Sequence, residues 1–145
     1  MNLSAHFTLE ELTASKAAAQ RGIDNSPSVA VLANLRRLAA LLEQVRAAVG
    51  IPIRVSSGYR CAALNSVVGG SPNSAHMNGL AADISASGLA PKDLATAIIV
   101  SGVQFDQLIY EGTWVHIGLS RGAPRNQVLT AHFANGRVSY TEGIV

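Results

Sequence analysis

The stretch Ser74-Ala75-His76-Met77-Asn78-Gly79-Leu80-Ala81-Ala82-Asp83-Ile84 decides how this chain is read. Asn78-Gly79 permits a turn between His76 and Asp83, and the run from Leu80 to Ser85 predicts a strand that carries the aspartate. An extended chain at about 3.3 Å per residue would hold the two side chains too far apart for one ion, so the turn is required if they are to meet. Further on, Trp114-Val115-His116-Ile117 alternates as a strand does and puts His116 on the same face as Trp114 and Gly118. If the two strands are sheet neighbours, His76, Asp83 and His116 converge. Spacing alone leaves the ordinary alternative open, a surface histidine and a turn-capping aspartate.

Outward from this core, the remaining punctuation is clear. Thr8-Leu9-Glu10-Glu11 is a capping box and predicts a helix from Thr8 to about Lys16. Gly22 to Asn25 reads as loop, and Ser26-Pro27 reads as the start of a second helix. Leu35, Leu38, Leu42, Val45 and Val49 share one face of that helix, which Gly50 and Pro52 end. Ile53 to Ser56 predicts a short strand, and a short helix follows Ser57-Gly58-Tyr59-Arg60 to about Val68. Gly69 to Ser74 is loop by composition, and Pro91 opens a third helix through Val100 with Gly102 past its end. Gln107–Tyr110 and Trp114–Gly118 form one candidate hairpin, and Val128–Phe133 and Val138–Tyr140 around Asn135-Gly136 form another. Helices come first and strands mostly later, so the expected fold is a single α+β domain over residues 1–145, a small antiparallel sheet with helices on one face.

Composition narrows the function classes. Hydrophobic residues are 48% of the 145, enough to bury a core, while aromatics are only 5%, which gives no support to base-stacking platforms. A net charge of +2, spread along the chain, is too diffuse to predict nucleic-acid binding. Cys61 is the only cysteine, so no intramolecular disulfide forms and an all-cysteine metal site is excluded. The start MNLSAHFTLEEL lacks the basic-then-apolar pattern of a leader, and no run approaches the roughly 20 apolar residues of a membrane span. The expectation is a soluble monomer made in the cytoplasm.

Two neutral imidazoles and one carboxylate suit Zn²⁺, leave it a net positive charge and keep a fourth position open for water. The surrounding residues sharpen this. Ser57-Gly58-Tyr59-Arg60, Asn65, the stretch from Val68 to Ile84 and Trp114-Val115-His116-Ile117 together resemble the zinc D-alanyl-D-alanine carboxypeptidase and murein endopeptidase family, which shares the hedgehog-type metallopeptidase fold. The resemblance extends to Phe7–Leu12 and to Asn34-Leu35, and is closest to the short members found in phages and prophages. It implies that His76, Asp83 and His116 bind zinc and that Arg60 stabilises charge on a substrate oxygen. It also implies a peptidoglycan stem or cross-bridge peptide as substrate, reached after holin-type release or as a virion component.

The general base is where the sequence departs from better-known members, whose acidic residue lies three positions before the last histidine. Thr113 stands there and cannot take a proton from water at neutral pH. Glu111 is the candidate, if the hairpin turn carries its carboxylate to the metal, and Asp106 is the fallback. If neither reaches it, the alternative is a non-catalytic zinc-binding module of a phage particle or cell-wall assembly. Ser74 suits either a turn or a contact to substrate or His76, while Tyr59 suits cleft or core and Trp114 suits the cleft wall. Cys61 is expected to be a buried small residue on the short helix, His132 an exposed strand residue and His6 structural.

Overall fold

A computed structural model describes residues 1–145. The elements are α1 (Leu9–Thr13), α2 (Lys16–Arg21), α3 (Val29–Val49), β1 (Ile53–Ser57), α4 (Ala62–Val67), a 3-10 turn (Ala75–Asn78), β2 (Ala81–Ala86), α5 (Pro91–Ser101), β3 (Gln107–Tyr110), β4 (Val115–Gly118), β5 (Gln127–Ala134) and β6 (Arg137–Glu142). The architecture is α+β, with one six-stranded sheet in the order β1-β2-β4-β3-β5-β6.

Local chemistry accounts for the helix boundaries, including two that differ from expectation. The Thr8 hydroxyl accepts from Glu11 N, yet the helix ends at Thr13 because Ser15 caps a new one, its Oγ accepting from Ala18 N at 3.1 Å. What reads as one helix to Lys16 is therefore two, bent at Ala14-Ser15. Helix α3 starts at Val29: the Ser28 Oγ accepts from Val31 N, while Ser26 N donates to Asp24 Oδ1 in the preceding turn. Ser28, two residues past the expected cap, has the free hydroxyl that the helix start needs.

One face of the sheet meets the helices. Leu35, Leu38 and Leu42 of α3, and Leu94 and Ile98 of α5, pack on Ile84, Leu108, Val115 and Ile117 in one hydrophobic cluster. Strand alternation then directs Asp83, His116 and Ile109, the cross-strand partners of a single row, to the opposite face. The sheet is not wholly antiparallel, because β5 runs parallel to β3, with Gln107 opposite Gln127. Gly118 at the end of β4 already lies opposite Gln107 at the start of β3, so a short loop suffices to pass β3 and enter β5 alongside it. That loop is held by Asn126 N to Phe105 O at 2.9 Å and by Arg125 to Asp106 at 2.8 and 2.9 Å. The terminal hairpin turns at Asn135-Gly136, both with positive φ (53° and 72°), as its Asn-Gly pair predicts.

Gly58, in the bend after β1, has no room for a side chain: a Cβ there would collide with the Leu12 carbonyl of α1. Tyr59 N donates to that same carbonyl at 2.8 Å. We expect Gly58→Ala to destabilise the fold by roughly 2–4 kcal/mol, as a backbone clash in a packed region does. Gly22→Ala, where a Cβ meets nothing within 4 Å and only the left-handed φ of 64° is penalised, should cost about 1 kcal/mol. Urea unfolding of the two variants checks the order.

Candidate metal centre and active-site cleft

His76 is placed by its neighbours on both sides in the chain. Ser74 caps the 3-10 turn, accepting from His76 N at 3.2 Å, and Gly79 ends it in the left-handed region at φ 69°. The His76 Nδ1 lies 2.7 Å from the Gly58 carbonyl. A carbonyl only accepts, so Nδ1 carries the proton and Nε2 presents its lone pair. Helix α3 steadies the turn from behind through Asn34 Nδ2 to Asn78 O at 2.8 Å. Asn25 braces the Gly58 bend, donating to Thr13 O and Tyr59 O, each at 2.9 Å, and accepting from Cys61 N at 2.8 Å. Asn25 carries this placement without any motif-level signal, since an asparagine in a loop reads as a turn former.

The three candidate ligands are together. One ligand atom from each of His76, Asp83 and His116 lies within 4.8 Å of the others. The shared oxygen is Asp83 Oδ1, 3.3 Å from His76 Nε2 and 3.2 Å from His116 Nδ1. Two donors each about 2.0–2.1 Å from one tetrahedral zinc would stand roughly 3.3–3.4 Å apart, which both carboxylate–imidazole distances match. Asp83 is mostly buried, and burial by itself would raise its pKa. The hydrogen bonds and charges of His116 and His76 outweigh burial and hold the carboxyl well below the usual range, so it is an anion whenever the site could bind a cation.

The cleft of about 760 Å³ over this group is also lined by Glu111, Arg60 and Trp114. The turn Gly112-Thr113 brings Glu111 back into the cleft, with Glu111 N donating to Trp114 O at 3.0 Å. The Trp114 indole N–H donates to Glu111 Oε2 at 2.9 Å, which leaves Oε1 without a protein partner. Burial is the largest influence on the Glu111 carboxyl and raises its pKa, the Asp83 charge adding to the rise against the pull of His116, His76 and the indole. The Nε of Arg60 is buried with no acceptor in the chain, and one Nη makes only a long 3.5 Å contact to Ser74 Oγ. A buried donor without a partner fits a site that completes itself with a substrate oxygen.

The other expected residues divide. Tyr59 is both core and cleft, 9% exposed and lining the space beside Arg60. Asp106 lines the far end of the cleft, but its two oxygens are held by Arg125, which lowers its pKa and removes it as a fallback base. Cys61 is only half-buried and stands at the N-cap of α4, one residue before the helix, so it is neither fully buried nor helical. It is absent from the candidate metal-binding group. His132 is exposed, with Nε2 against Thr141 Oγ1 at 2.7 Å, and the His6 ring lies 2.7 Å from Glu43.

An α+β sheet whose open face carries a His-Asp-His donor set beside a half-buried carboxyl and an unpaired guanidinium is the layout of a metal-dependent hydrolase. The family model described as peptidase M15 matches residues 5–118, from ahead of α1 to the end of β4. The chain belongs to the peptidase M15 family, whose members are zinc-dependent metallopeptidases. No curated protein matches it.

If this donor set holds the ion, Asp83→Asn and His76→Ala should each drop zinc from about one per chain to a small fraction of that after gel filtration, because three protein ligands define such a site. Metal analysis by plasma mass spectrometry, beside circular dichroism to confirm folding, checks it.

Proposed function

We propose that the chain is a zinc-dependent peptidase that hydrolyses a bond involving a D-amino acid in the stem peptides or cross-links of bacterial peptidoglycan. The observation that carries this reading is the convergence of the donor set, Glu111 and the unpaired Arg60 Nε on one cleft. Family membership supports peptide-bond hydrolysis, and the SGYR, SAHMNGLAAD and WVHI segments support the polymer.

Zinc, when bound by His76, Asp83 and His116, supplies a water of lowered pKa and polarises the substrate carbonyl. Glu111 takes a proton from the attacking water as the carbon–oxygen bond forms. It returns that proton to the amine nitrogen as the carbon–nitrogen bond breaks. The Trp114 indole fixes one carboxylate oxygen and leaves the other to carry the proton. Arg60, whose side chain lines the cleft, donates to the oxyanion where charge develops. A non-catalytic module would have no use for a desolvated carboxyl beside the donor set, so the catalytic reading is preferred to it. The protein acts as a monomer on a peptide, with no nucleic-acid partner and no membrane insertion, and reaches the wall after holin-type release or within a virion. No helix is long and apolar enough to cross a membrane.

Mass spectrometry of fragments released from purified peptidoglycan by the zinc-loaded protein tests the reading. New stem fragments that vanish with a chelator are expected, and unchanged muropeptides from folded, zinc-loaded protein would overturn it. Glu111→Gln should lower kcat by about 10²–10⁴-fold, the usual worth of a general base, with zinc content unchanged. A base must be deprotonated to work, so activity falls on the acid side as Glu111 binds a proton. Trp114→Phe removes a hydrogen bond that lowers the Glu111 pKa and should move the acid limb of the kcat profile to higher pH.

A further inference from the structure

The space around the donor set has two arms of opposite character, which meet at Arg60, Asp83 and Trp114. The arm toward the terminal hairpin is lined by Leu129, Val138 and Tyr140, and its distal cation, Arg125, is neutralised by Asp106. The arm toward β1, a cleft of about 980 Å³, is lined by Lys16 and Arg54 and by the hydroxyls of Ser57 and Ser85. Arg54 is the cross-strand partner of Ser85, two residues along β2 from Asp83, so the guanidinium stems from the same face as the donor set.

The charge of this second arm is not balanced. Lys16 and Arg54 are exposed, and neither has a carboxylate within 4.0 Å. Glu11 borders a separate hollow on the other side of Arg54 and makes no ion pair with it. Asp83 is the one acid in the lining, and it is engaged by both imidazoles. The Ser57 and Ser85 hydroxyls have no side-chain partner, and the Arg60 side chain lines the inner end of the arm. Two free cations and free hydroxyls along one wall, ending at the Arg60 side chain, form a surface suited to carboxylates.

We propose that the β1-side arm is the subsite for the carboxylate-bearing part of the peptide substrate, with Lys16 and Arg54 as its specificity-determining residues. This rests on the peptidase reading above and adds a direction to it: acidic groups lie toward β1, and the small or apolar part of the peptide lies toward the β5–β6 hairpin. Both cations are at the cleft rim, so their contribution is electrostatic, is expressed in binding and weakens with salt.

The test uses a synthetic peptidoglycan stem peptide bearing a neutral fluorophore, with its carboxylates either free or amidated. Binding is read by fluorescence anisotropy in zinc-loaded Glu111→Gln protein, which keeps the peptide intact. The free-carboxylate peptide should bind about tenfold tighter than the amidated one, within the range that two exposed ion pairs together contribute. Lys16→Ala/Arg54→Ala should narrow the preference to within about threefold, and rising sodium chloride should do the same. Lys92→Ala/Arg137→Ala, which removes the same charge away from the cleft, should keep the preference. An equal preference in all three proteins, or none in any, would overturn the subsite. Cleavage by the wild-type protein separates the two claims. Charge-dependent binding without hydrolysis of either peptide upholds the subsite and sinks the peptidase reading, whereas hydrolysis with no charge preference does the reverse.

Discussion

The hydrogen bond between His76 Nδ1 and the Gly58 carbonyl, 2.7 Å long, is the constraint on which the site depends. It fixes the tautomer, and so turns Nε2 toward Asp83 rather than into the protein. The carbonyl that makes it can be there only because Gly58 has no side chain to collide with α1. The first helix of the chain thus sets the protonation geometry of a histidine more than sixty residues later, through the Leu12 carbonyl, the Gly58 bend and the 3-10 turn. Metal ligands are commonly oriented by a second hydrogen bond of this kind.

The sheet divides labour between its faces. Every second residue of β2 and β4 is spent on the core, as Ile84, Val115 and Ile117 show, and the residues between them are free to carry Asp83 and His116. Cross-strand partnership then brings these two within 3.2 Å without any contribution from loop geometry. The cost is a carboxylate removed from water, offset by two imidazoles that face one of its oxygens. Glu111 has no such offset of comparable strength and is pushed upward in pKa, so two carboxyls in one cleft are tuned in opposite directions. That separation suits one to hold a cation and the other to exchange a proton.

Several features were legible because they are local. The Thr8 cap, the apolar stripe of α3, the Asn135-Gly136 turn and the alternation around His116 depend on residues within a few positions of one another. The misreadings have two sources, ties between local signals and pairings made across the chain. The break at Ser15 and the start at Val29 were competitions between neighbouring caps, which local pattern does not rank. The parallel pairing of β5 with β3 follows from where β4 ends in the sheet, and Asp106 is occupied only because the loop after β4 brings Arg125 across.

The sequence by itself determined the α+β class of fold, because helix and strand periods are local, and the resemblance of its segments to one family singled out three candidate donors that spacing alone left open. Tertiary structure decided which acid stands unpaired beside the candidate donors. Glu111 and Asp106 are equivalent as residues, and only packing could desolvate one beside the donor set and neutralise the other with an arginine 19 positions away. It also decided that Lys16 and Arg54, ordinary surface cations when read along the chain, stand on one wall beside the site. Burial and charge proximity are properties of the folded surface, and these are what separate a functional group from a solvated one.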